Sequence, residues 1–169
     1  MSKPTYVLLP GAWHTPAAYD DVVDSLAKHG YPAISFALPS FDATPTHHDF
    51  SADVIAIRNC LTELVSQDKD VILVVHSYAG LPGGEATKDL GKKEREAQGL
   101  KGGVIRYVVI NGFVCPPGFQ PAPRGDYSTM PDWMKFDLEV SNHPFNSSRP
   151  QTRSRGQLTP TPPFLRPTP

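Results

Sequence analysis

The residues with the clearest chemical potential lie in VILVVHSYAGLPGG, Val71 to Gly84. Five apolar residues run into His76-Ser77, and the chain then turns rich in glycine. A serine at such a strand-to-helix junction is placed to be a nucleophile. The chain bends so tightly there that small residues must flank the serine, and its hydroxyl is presented at the sheet edge, usually with the spacing G-x-S-x-G. Ala79 and Gly80 supply small residues after Ser77, whereas Val75 stands where the first glycine belongs and is expected to crowd the turn. The plainer alternative is that Ser77 only N-caps the next helix. Pro82 falls about a turn into that helix, near the limit at which a missing N–H is tolerated. Gly83 and Gly84 either let the helix backbone approach the sheet or merely weaken the helix.

Acyl transfer also needs aligned N–H donors for the developing oxyanion. One comes from the residue after the nucleophile, here Tyr78, and the other from the loop after the first strand. That loop reads Leu9-Pro10-Gly11-Ala12-Trp13-His14, a glycine turn with the Ala12 amide placed to donate. Gly11, Trp13 and His14 then line the pocket, the last two as its floor. Pro-Gly is also a common turn, and Trp13 serves equally well as a core residue.

The elements that must position these groups alternate strand and helix. Tyr6 to Leu9 is a short apolar strand stopped by Pro10-Gly11. Thr15 is placed to N-cap a helix with Pro16 at its first position, an apolar face of Tyr19, Val22, Val23 and Leu26, and Gly30 at its end. Ala33 to Leu38 is a second strand. After the loop SFDATPTHHD comes a second amphipathic helix, with Phe50, Val54, Ile57, Leu61 and Leu64 on one face. Val71 to Val75 is apolar throughout, as suits a central strand buried on both faces. A helix follows from about Tyr78, and its charged continuation KDLGKKEREAQGLKGG reads as a solvated helix end and loop. Arg106 to Ile110 is the fourth strand. This alternation predicts an α/β fold, a parallel sheet of about four strands in the order 2-1-3-4 with helices on both faces. Ligands of such sheets sit at the carboxyl ends of the strands, where the Gly11 turn, the histidine loop and Ser77 all emerge.

The chain of 169 residues is 39% apolar and 20% charged, with a net charge of −1, so nothing favours a nucleic acid or a membrane surface as partner. No 18-residue apolar run and no signal-peptide core are present, which makes a cytoplasmic protein the expectation. Cys60 falls on a helical apolar pattern and Cys115 after a strand, so neither a disulfide nor a metal site is expected. No cofactor is implied. The turn PGAWHTP lacks G-x-G-x-x-G, and no G-K-[ST] follows any strand, which argues against dinucleotide and P-loop folds.

VLLPGAWHTPAAYDDVVDSLAKHGYPA, VILVVHSYAGLPGGEA and VIRYVVINGFVCPPG together resemble the α/β-hydrolase superfamily, in order, over roughly residues 5 to 120. The resemblance is most specific to a branch that includes many fungal esterase-like proteins and is related to plant methylesterases and hydroxynitrile lyases. It implies a serine hydrolase of small carboxylic esters or similar acyl compounds, with Ser77 as nucleophile and the amides of Ala12 and Tyr78 as oxyanion hole. His76 would be a neighbour on the strand and not the general base. A non-catalytic small-molecule-binding protein and a hydroxynitrile-lyase-like enzyme are the alternatives on the same fold.

In that superfamily the triad acid and histidine follow the serine in the chain. Downstream of Ser77 the sequence offers His143 alone, with Asp126, Asp132, Asp137 and Glu139 as acids. His47 and His48 precede the serine and read better as solvated loop residues. Residues 141–169 hold seven prolines, four arginines and no acid, so they are expected to be disordered, after an N-terminal part of a hydrolase domain spanning 1–140. The family's C-terminal half thus reads as missing or replaced. No general base is identifiable, and a serine without one is a poor nucleophile, so weak or absent activity is expected. The apolar fourth strand is expected to form an unpaired edge.

Overall fold

The computed structural model describes residues 2–41, 43, 47 and 49–116. The expected tail and the candidates Asp126, Asp132, Asp137, Glu139 and His143 lie outside the described residues, as does His48. The first compact unit of the chain runs to Val114.

Four parallel strands form one sheet in the order β2-β1-β3-β4: β1 (Thr5–Leu9), β2 (Ala33–Ser35), β3 (Asp70–His76) and β4 (Gly103–Ile110). This is the order expected from the alternating pattern. β2 is shorter than the run Ala33 to Leu38. Its ladder pairs Ser35 with Leu8, and β1 ends one residue later at Leu9, so the residues toward Leu38 have little strand left to pair with. Leu38 still reaches the core and is 4% exposed. β4 begins three residues earlier than expected, because a bulge between Val71 and Ile72 lets Val104 pair with Val71 and Arg106 with Ile72. Among the described strands β4 pairs only with β3, its far side carrying a single parallel bridge from Val104 to Gly91, and Ile105, Val108 and Ile110 on it are exposed.

The first helical segment opens as a 3-10 turn, Pro16–Tyr19, and only becomes α1 at Asp20–Lys28. Thr15 stands at its N-cap, but its side chain makes no capping bond. The other end follows the expectation. Gly30 has φ +72°, its N–H donates to Ala27 O, and the Tyr31 N–H donates to Leu26 O, which completes a Schellman closure. The apolar face of α1 is at most half-buried, and Val22 is exposed.

α2 (Ser51–Ser66) supplies the main helical contribution to the core. Ile57, Cys60, Leu61, Leu64 and Val65 pack with Val7, Leu9, Val71, Leu73 and Val75 of the sheet. Phe50 does not join them: it stands outside the first turn as N-cap and is part exposed, while Asp53 occupies the buried stripe. β3 passes through a 3-10 turn, Ser77–Ala79, into α3 (Gly80–Ala86). The charged stretch expected to be loop contains a further helix, α4 (Lys92–Ala97), whose Glu94 carboxylate accepts the Gly91 N–H at 3.0 Å. No helix of the described residues is long and apolar enough to cross a membrane.

Candidate active site

Ser77 directly follows β3 and opens the turn in which the chain reverses. His76 is still extended, at φ −114° and ψ 135°, whereas Ser77 has φ +51°. A side-chain-bearing residue in this left-handed region carries strain of about 1–3 kcal/mol, and such strain persists only where the surroundings fix it. Three contacts do so. The loop after β1 lies against the serine, since a methyl group on Gly11 would come 3.0 Å from Ser77 Cβ and 2.9 Å from His76 Nδ1. The Phe113 N–H, just beyond β4, donates to Ser77 O at 3.3 Å. The next residue, Tyr78, is tied through its phenol to Asp53 at 2.5 Å.

Val75 is fully buried without distorting this turn. The space it needs comes from α3, because a methyl group on Gly83 would lie 2.9 Å from Val75 Cγ1. Gly84 is different: it is exposed, and a methyl there would meet nothing closer than Tyr107 Oη at 3.7 Å. Pro82, buried at the third position of α3, costs no helical hydrogen bond in the first turn. The Tyr107 hydroxyl donates to Gly80 O at 2.7 Å, and burial pushes that phenol up to about 12.

The loop after β1 starts from buried Pro10 and Gly11 and turns through a hydrogen bond from the His14 N–H to Gly11 O, 3.2 Å. Trp13 takes φ +64° within it. The half-buried Ala12 is not among the backbone donors of this turn, and the Tyr78 N–H sits in the first turn of a helix, where N–H groups lack helical partners. Trp13 and His14 are both exposed, so they stand at the open side of the turn and not on a floor. His14 Nδ1 lies 2.8 Å from Ala12 O, and the His14 ring meets the His76 ring edge-on with centroids 6.2 Å apart. Gly11, His14, His76 and Ser77 therefore form one cluster at the carboxyl ends of β1 and β3. His47, by contrast, is exposed.

Asp53 is the site residue that sequence reasoning missed. Its carboxylate is wholly buried on α2 and accepts two hydrogen bonds, from the Ser40 N–H at 2.8 Å and from the Tyr78 hydroxyl. Burial, followed by the hydrogen bond to this carboxylate, holds the Tyr78 phenol far above its ordinary range, so it remains a donor. One signal was available: Asp53, Ile57, Cys60, Leu61 and Leu64 fall on one helical stripe. Among the described residues no group of three or more His, Cys, Asp or Glu side chains is placed to hold a metal ion.

A parallel sheet in this order, with a strained serine at the tip of its third strand, defines an α/β-hydrolase type of architecture. The chain belongs to the alpha/beta hydrolase family, whose model matches residues 6–169. It is similar to the Alpha/beta hydrolase nvfD of Aspergillus novofumigatus, with 34% identity over 118 residues, 70% of this chain and 46% of that protein. It is also similar to the Probable hydrolase R7 of a Phoma species, with 27% identity over 120 residues, 68% of this chain and 44% of that protein. The matched region is thus under half the length of either curated relative.

Proposed function

We propose that the chain carries the nucleophile and oxyanion hole of a serine hydrolase acting on small carboxylic esters or related acyl compounds, within the fungal esterase-like branch of the family. Ser77 is the nucleophile. The amides of Ala12 and Tyr78 receive the oxyanion, and Gly11, Trp13 and His14 border the acyl group. The observation that carries the reading is the φ of +51° at Ser77, held with the Gly11 loop against its Cβ. An N-cap serine needs no such strain, since N-caps take extended backbone angles. Both similar proteins bear hydrolase names and come from fungi, which supports the branch.

Among the described residues no histidine is hydrogen-bonded to the Ser77 hydroxyl. These residues alone account for about 10³–10⁴-fold catalysis over water, the amount left by binding and an oxyanion hole when a triad member is removed. A fluorophosphonate probe tests the assignment. Ser77 Oγ forms the new P–O bond, fluoride leaves, and the serine proton passes to solvent or to a base. Slow labelling that disappears in Ser77→Ala is the expected result. Labelling as fast as that of an intact triad would show that a base from residues 117–169 reaches Ser77. Labelling that survives the substitution would remove Ser77 from the role.

A further inference from the structure

Asp53 is wholly buried, yet it lies one helix away from the strained serine and touches it only through its neighbour. A buried carboxylate is costly unless its oxygens are paired, and here each oxygen has one partner. Oδ1 takes the Ser40 N–H from the segment after β2, and Oδ2 takes the Tyr78 hydroxyl. A single side chain thereby joins three segments at the carboxyl edge of the sheet: α2, the start of the loop that carries His47, and the turn after β3. Asp53 also sits at the third position of α2, where the unpaired N–H groups of the helix start favour a negative charge.

The second observation is the strain at Ser77. Its carbonyl is held by the Phe113 N–H at 3.3 Å, a long bond, and its Cβ abuts the Gly11 turn. The Ser77 carbonyl and the Tyr78 N–H are opposite ends of one planar peptide, so the Phe113 and Gly80 N–H groups, which both donate to Ser77 O, restrain that peptide from its carbonyl side. The Tyr78 phenol, anchored at 2.5 Å, adds a restraint through the Tyr78 side chain on the amide side. We infer that Asp53 is a positioning residue for the nucleophile turn: through the Tyr78 phenol it holds the Tyr78 amide in the direction in which an oxyanion donor must point. The inference rests on the serine-hydrolase reading above.

Its consequence is kinetic more than thermodynamic. A clamp that aims one oxyanion donor acts on the covalent step and leaves the first, reversible encounter with the probe nearly unchanged. Removing an oxyanion donor outright costs about 10²–10³-fold, and a donor that is loosened but still present costs less, roughly tenfold or somewhat more. The experiment measures the fluorophosphonate reaction of the full chain, separating its maximal labelling rate from its half-saturating probe concentration, at a temperature where circular dichroism shows each variant folded. Asp53→Asn preserves shape and keeps an acceptor oxygen for the Ser40 N–H, but it puts an NH2 donor where the carboxylate oxygen accepts the Tyr78 hydroxyl. Tyr78→Phe removes only the hydroxyl. Each is expected to lower the maximal rate roughly tenfold with little change in half-saturation, and the double variant to be no slower than the worse single one, because both cut the same link. Asp53→Ala serves as the more disruptive companion, with Asp53→Asn recovering part of its loss. Wild-type rates in folded Asp53→Asn and Tyr78→Phe, with labelling at Ser77 intact, overturn the positioning role and leave the hydrolase reading standing. A wild-type chain that does not label at Ser77 at all overturns both.

Discussion

Val75 and Gly83 are complementary: the valine side chain at the end of β3 occupies the volume that any side chain on Gly83 of α3 would need, 2.9 Å from Cγ1 to the first added carbon. This is how the chain places a valine two residues before the serine and still makes the turn. The bulk is accommodated by the helix behind the strand instead of by a glycine within it. Gly83→Ala is therefore expected to cost about 1–3 kcal/mol by overpacking. Val75→Ala destabilises in the opposite way, by leaving a cavity. The methyl of one change fills the space opened by the other, so the double variant should be more stable than the sum of the two by about 1 kcal/mol. Urea denaturation of the four proteins measures this coupling, and additive losses would mean that the two residues do not share that space.

The left-handed angle of Ser77 has its own thermodynamic signature. At an ordinary helical position alanine is preferred over glycine. At φ +51° the order reverses, because glycine alone escapes the clash of Cβ with the following carbonyl. Ser77→Gly is expected to exceed Ser77→Ala in stability by about 0.5–1 kcal/mol, the relief of strain being partly offset by the freedom that glycine gains on unfolding. Both variants lose the hydroxyl and should lose probe labelling. A less stable glycine variant would place Ser77 in an unstrained conformation.

The parts of this site that could be read in the sequence are those that local chemistry dictates. Ser77 followed an apolar strand and preceded small residues, Pro10-Gly11 ended β1, and Gly30 closed α1; each signal lies within a few residues of the feature it marks. Asp53 was hidden because its partners, Ser40 and Tyr78, are 13 and 25 residues away and meet it only once α2 has docked. α4 was hidden for a different reason. Its six residues show no apolar period, and its support is polar: Lys92 pairs with Asp70 at 2.8 Å, and Arg95 donates to the carbonyls of Val65, Lys101 and Gly102. The valine before the serine looked like a defect because its compensation sits eight residues on and shows only when helix and strand are packed.

Gly11 tests the other half of the site. A methyl group there meets both the His76 ring and Ser77 Cβ. The ring can rotate aside, but the Cβ is fixed to the strained backbone, so the loop itself must move. Displacing it shifts the Ala12 amide by a fraction of an ångström to an ångström, and misplacement on that scale can cost about 10²-fold in rate. Gly11→Ala should therefore label far more slowly than wild type, and it should also unfold at a lower urea concentration, since its clash is as close as that of Gly83→Ala. Adding His76→Ala should not restore the rate. Recovery in that double variant would show that the His76 ring was the sole obstacle and that the loop does not rest on Ser77.

The buried acids of the described core predict where stability fails at high pH. Burial, with a smaller push from Glu63, raises the Cys60 thiol from 9.0 to about 12, and burial raises Tyr107 from 10.0 to about 12. Tyr78 is raised as well, by burial first and then by Asp53. Each group is neutral when protonated, so a raised value means that the folded state holds its proton longer than the unfolded chain does. Below about pH 8 both states are protonated and stability does not depend on these groups. Above it the unfolded chain ionises first, which favours unfolding, and the loss continues until the folded-state values are reached near pH 12. For each group whose two states differ by a full proton the slope is about 1.4 kcal/mol per pH unit. Urea midpoints should accordingly be level from pH 7 to about 8 and fall above that, most steeply beyond pH 9. Cys60→Ala starts lower, because it leaves a cavity in the core beside Leu61 and Val65, but it should decline less between pH 9 and 10, where only the thiol contributes fully. Parallel curves for wild type and Cys60→Ala would mean that the thiol titrates alike in both states and is not the buried group that α2 presents to the sheet.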